Sequence, residues 1–133
     1  MIKEVLMMMA VLGMSLGIFS AYKVRKIEFY RNMLEELVEF IKSSSKGAYL
    51  SALVVVMYNF ILTYIAIIYI GGSVLKYMSI AVIITNFIDI VKIKLMESEK
   101  YDIEKMYIYN YLTDMIEAML YITYCGYIIY LVI

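Results

Sequence analysis

Apolar residues fall into four long stretches along this chain, and polar residues gather in the gaps. The stretches cover about residues 5–22, 49–70, 74–93 and 112–131. Each comes close to the roughly 20 residues that a helix rising about 1.5 Å per residue needs to cross a bilayer core. The pattern predicts an all-α polytopic membrane protein, with residues 1–133 forming a single domain of four transmembrane helices.

The gap after the first stretch has a pattern of its own. In "KIEFYRNMLEELVEFIK" the apolar positions Ile27, Tyr30, Leu34, Leu37 and Ile41 recur at spacings of three and four. That spacing predicts a cytoplasmic amphipathic helix over about residues 23–42. Its stripe suits either a protein seam or a helix lying on the membrane surface. Arg31 and Glu35 sit four apart on its polar side, placed for a weak ion pair. No strong breaker lies between Ser20 and Ile41, which allows the first span to continue into this helix as one rod. "SSSKG" at 43–47 then turns the chain back, and "GGS" at 71–73 makes a tight turn between the second and third spans. Asp102 is an acceptable N-cap for the last helix, whose first turns would stand outside the bilayer core.

Composition strengthens the membrane reading. The chain is 65% hydrophobic and 18% charged, against about 45–50% and about 25% for a typical soluble domain. A soluble core of this size would lack the polar surface to cover itself. The lone cysteine, Cys125, lies inside the last apolar stretch and has no intramolecular disulfide partner. Histidine is absent and formal net charge is zero. No dinucleotide fingerprint, P-loop or CxxC occurs, so neither a cofactor, a metal nor a nucleic acid is expected.

Positive charge sets the expected orientation. The first gap holds six lysines and arginines, the second one, the third four, and the C-terminal end none. That alternation predicts a multi-pass protein of the cell membrane with both termini outside. Charge follows the first stretch and does not precede it, and no Ala-x-Ala site closes it, so the stretch reads as an anchor and not as a cleaved signal.

The candidate chemistry lies inside the spans. On a helical rise of about 1.5 Å, Asp89 sits roughly 8 Å and Glu117 roughly 7 Å from the midplane, both on the inner side. Asp114 is one turn from Glu117 on the same face. With Asn59, Thr63, Thr85 and Asn86 they make a candidate polar seam facing the bundle interior. Two carboxylates held close favour a shared proton. Lys92 stands three residues from Asp89, near enough to pair with it or to snorkel outward. Gly13, Gly17 and Ala21 recur every fourth residue, a small-residue ridge that allows close helix contact. Tyr58, Tyr64, Tyr121 and Tyr124 lie deep enough that each hydroxyl wants a protein partner.

These features point to a non-enzymatic assembly or accessory subunit, within a homo-oligomer or beside other membrane proteins in the lipid bilayer. The carboxylates offer an alternative, an oligomeric cation- or proton-conducting channel. Small phage-encoded lysis pores, the holins, share this size and simplicity. They also carry a charged C-terminal tail where this chain has "YLVI". A small membrane enzyme using Asp89 and Glu117 as acid and base is a further alternative.

Overall fold

The computed structural model describes residues 1–133 apart from Arg25, Glu99 and Lys100, and apart from the side chain of Ile27. Among the described residues five helices follow one another: α1 (Ile2–Lys23), α2 (Ile27–Ser43), α3 (Ser45–Tyr69), α4 (Ser73–Glu97) and α5 (Ile103–Val132). α1, α3, α4 and α5 are each long and apolar enough to cross a membrane, which makes this a multi-pass membrane protein. Their outward faces carry large apolar side chains such as Leu53, Val54, Ile61, Ile84 and Ile116, as contact with lipid requires. Four alternating crossings put both chain ends on one side, with α2 and the start of α5 on the other.

α1 and α2 do not form one rod. Helix ends at Lys23, Val24 turns, and Lys26 is extended before α2 begins. Neither glycine nor proline marks this break; burial drives it. As a continued rod, α2 would hold its apolar stripe in water. Folded back, it buries Tyr30, Leu34, Val38 and Ile41 against Ala48 of α3 and Met96 of α4. Tyr107, Tyr111 and Met115 of α5 complete that cluster, and the Tyr30 and Tyr111 rings meet edge to face, 5.5 Å between centroids. Within the stripe, Val38 takes the inward place expected of Leu37, which is 44% exposed. The expected contribution of the Ile27 side chain lies outside the described residues.

The α3–α4 turn needs its glycines. Gly71 and Gly72 have φ of +73° and +99°, where a Cβ is strained. The result is an antiparallel hairpin, in register where Asn59 meets Asn86 and Tyr49 meets Glu97. α5 has 30 residues, about 45 Å at the usual rise, well beyond the roughly 30 Å of hydrocarbon. Its extra turns carry the surface that receives α2. Asp102 caps it, accepting from the Glu104 backbone N–H at 3.1 Å.

α1 packs along α5 with very little clearance. A Cβ on Gly13 would lie 2.8 Å from the Cys125 Sγ, and one on Gly17 would lie 2.9 Å from the Ile122 Cγ1. Ala21, the third member of the ridge, is only partly buried. A second core fills this half of the bundle, built from Leu6, Ala10, Leu62, Ala66, Leu75 and Ile128 with their neighbours.

Candidate functional site: a lysine among three carboxylates

Asp89 and Lys92 share a face of α4, three residues apart; Asp114 and Glu117 share a face of α5 in the same way. The two helices run antiparallel and bring these faces together toward the α2 side. The Lys92 Nζ lies 2.8 Å from Asp114 Oδ1, 3.4 Å from Glu117 Oε1 and 3.9 Å from Asp89 Oδ1. One oxygen from each carboxylate falls within 4.8 Å of the others. Lys92 thus turns inward instead of snorkelling, and its side chain is only 14% exposed. Three carboxylates this close suit a hard cation, but here the ammonium stands within 4.0 Å of all three. A bound cation would have to displace it.

α2 closes the cluster from its own side. The Tyr30 hydroxyl donates to the second oxygen of Asp114. Burial, aided by the Asp114 carboxylate, holds the Tyr30 phenol far above its ordinary pKa, so it remains a donor. Farther out, Arg31 of α2 pairs with Glu104 of α5 and lies over the Tyr107 ring. Asp89 and Glu117 also share a hydrogen bond with each other, so the cluster sets three carboxyl groups, two of them paired, around one ammonium.

One turn deeper, the chemistry becomes neutral. Asn59 Nδ2 donates to Asn86 Oδ1 at 3.2 Å, and the Tyr121 hydroxyl donates to Asn59 Oδ1 at 2.8 Å. Toward the chain termini, the Tyr124 hydroxyl lies 3.2 Å from Thr63 and 3.0 Å from Ser79. Ser79 donates its own proton to the Leu75 carbonyl at 2.8 Å. Each hydroxyl has one proton, so the consistent order is Thr63 to Tyr124 to Ser79 to the Leu75 carbonyl. Tyr58 donates to the Met9 carbonyl at 2.6 Å and ties α3 to α1.

The seam expected from sequence therefore divides. Asp89, Asp114 and Glu117 come together around Lys92; Asn59 and Asn86 bond to each other; Thr63 joins Tyr124. Thr85 stands apart and donates to the Val82 carbonyl of its own helix at 2.6 Å. Of the deep tyrosines, Tyr64 differs from expectation: it is 68% exposed and faces outward. Adjacent helical residues point about 100° apart, and Thr63 takes the inward direction. Ser79, Tyr30 as a donor and Lys92 as the hub were not assigned to the seam from sequence. Ser79 had a signal, lying one heptad before Asn86 on the same face of α4.

A half-open cavity of about 420 Å³ adjoins the charged cluster, lined by α2, α3 and α4 and by Asp114 of α5. Compared with known proteins, this chain matches no family model, no curated protein and no solved structure.

Proposed function

We propose that this is a non-enzymatic integral membrane protein that serves as an assembly or accessory subunit, in a homo-oligomer or a larger membrane complex. The observation behind this reading is how far the interior polar groups are committed to one another. Lys92 answers its carboxylates, Asn59 holds Asn86 and Tyr121, and Tyr124 links Thr63 to Ser79. Such pairing favours a rigid bundle whose work is done at its outer surface. Mass measurement in mild detergent tests it. A discrete homo-oligomer, or retention of a second membrane protein, supports the reading; a monomer that retains none sinks it. The charge alternation along the chain favours α2 on the cytoplasmic side with both termini outside. In a Cys125→Ser background, Ser73→Cys should react with an impermeant thiol reagent added outside, and Ser98→Cys should not. The reverse pattern inverts the protein.

The excess of carboxylates over ammonium supports a second reading, cation or proton conduction by an oligomer. In liposome flux measurements, Asp89→Asn and Glu117→Gln should then abolish or retune transport while the fold survives. Absence of flux in the unmodified protein ends this reading.

A further inference from the structure

The cavity beside the ion cluster runs inward from the α2 end. Along the α3–α4 hairpin, Tyr49 meets Glu97 and Asn59 meets Asn86. Ala48 and Ala52 of α3 therefore lie toward the α2 end, and with Leu37 and Phe40 of α2 they make an apolar neck. Val56, Asp89 and Asn86 line the cavity deeper in.

The carboxyl pair at the deep end needs a proton. Lys92 is committed to Asp114, 2.8 Å away, and Tyr30 donates to the same carboxylate. Asp89 and Glu117 are held less closely by Lys92, at 3.9 Å and 3.4 Å, and they bond to each other. Ionised carboxylates only accept, so a hydrogen bond between two of them requires one proton. Without it, two negative charges would face each other in the bundle interior. Among the described residues, the charged and titratable groups facing the pair are Lys92 of α4, Asp114 of α5 and Tyr30 of α2. α3 lines the cavity with Ala48, Ser51, Ala52, Val55 and Val56 and brings no titratable group to it.

Asn86 is an independent sign of what fills the cavity. It is 6% exposed, its Oδ1 accepts from Asn59, and its Nδ2 has no hydrogen-bond partner among the described residues. A buried amide N–H left unanswered is costly. A water in the cavity accepts from Asn86 Nδ2 and donates to Asp89, one turn along the same helix. A metal ion would instead meet the Asn86 N–H and the Lys92 ammonium, both of them donors.

The structure assigns Asp89 and Glu117 as a proton-binding site that exchanges with water on the α2 side through this cavity. Loading moves one proton from a water onto a carboxylate oxygen, and unloading returns it to water. Past Asn86 the Asn59–Tyr121 bond closes the way, and Leu62 and Val82 are packed beyond it. The site therefore opens to one side. A site loaded from one side conducts nothing by itself, so the assignment stands whether or not an oligomer carries ions.

Two measurements on the full chain in lipid vesicles test it. The infrared carbonyl band of a protonated carboxyl group should be present at neutral pH, shift in heavy water, and vanish in Glu117→Gln. Absence of that band from the unmodified protein overturns the proposal, as does a band that stays unshifted in heavy water or survives in Glu117→Gln. For access, Val56→Cys in a Cys125→Ser background should react with a charged thiol reagent from the side that labels Ser98→Cys, and not from the side that labels Ser73→Cys. Ala52→Cys, a smaller change in the neck, should label in the same way. Adding Ala52→Phe to the Val56→Cys protein narrows the neck away from the carboxyl groups, and it should abolish the labelling with the melting curve unchanged. If neither cysteine labels from the Ser98 side, or folded Ala52→Phe labels in full, water does not reach the pair by this route and the proposal fails.

Discussion

Toward the chain termini, Thr63, Tyr124 and Ser79 meet as neutral hydroxyls among Leu62, Ala66 and Leu75, each proton passed on to the next oxygen. Toward α2, Lys92 gathers three carboxylates and Tyr30 adds a phenol to one of them. Both arrangements bury polar atoms between α4 and α5, the first with α3 and the second with α2. The difference follows depth and company. A hydroxyl deep in the bundle can fall back on its own helix backbone, so its demands are small. A carboxylate has no such fallback and must find cations or donors. Here they come from Lys92 of α4 and from Tyr30, where α2 covers the bundle end.

The largest effect should therefore come from removing the hub. Lys92→Met keeps the stem and deletes the charge, leaving three carboxylates facing one another. Breaking a buried charge cluster in this way costs about 3–5 kcal/mol, read as a fall in unfolding free energy in mixed micelles. If Lys92→Met unfolds like the parent, the cluster contributes nothing to stability and the contrast between the two ends disappears. Tyr30→Phe comes next. Asp114 keeps Lys92 but loses a buried phenol donor, and a hydrogen bond to a charged group is worth about 1.5–3 kcal/mol. Loss of that donor should also loosen α2, seen as faster proteolysis at residues 24–26. An unchanged cleavage rate would mean that apolar contacts alone hold α2 in place.

Gly17→Ile probes the contact that the terminal half uses where the other half uses charge. The first added atom already meets Ile122 at 2.9 Å, and overpacking of this kind costs about 1–3 kcal/mol. The melting temperature should fall, and by less than in Lys92→Met. No change would mean that α1 slides freely on α5.

How much of this was legible in the sequence follows the same contrast. The four spans stand out because bilayer thickness fixes run length. The stripe of α2 was legible as a helix, but spacings through Leu37 or Val38 fit equally well, and only the neighbouring helices choose. The bend between α1 and α2 carries no glycine or proline; it comes from burial, which local sequence does not record. Asp89, Asp114 and Glu117 were legible together because depth along two antiparallel helices can be counted. The inward turn of Lys92 was not, since its long stem reaches the cluster or the interface with equal ease. The hydroxyl chain was half legible: Thr63 was named, while Ser79 and its link to Tyr124 depend on how α5 is rotated.

The smallest effect should come from Tyr124→Phe, which sharpens the comparison because it deletes the same atom as Tyr30→Phe. The ring stays in the apolar core, so no cavity forms. Ser79 keeps its bond to the Leu75 carbonyl. Thr63 loses its acceptor, but a threonine in a helix can donate to the carbonyl four residues earlier, here that of Asn59. Both neighbours thus have partners within their own helices. Intramembrane hydrogen bonds of this type average about 0.6 kcal/mol, and the loss should stay near that figure in the same mixed-micelle unfolding measurement. Tyr30→Phe should cost at least twice as much, because Asp114 has no backbone donor to replace the phenol. If the two phenylalanine variants prove equally destabilising, charge at the α2 end gives no extra hold, and the two halves bury their polar atoms on the same terms.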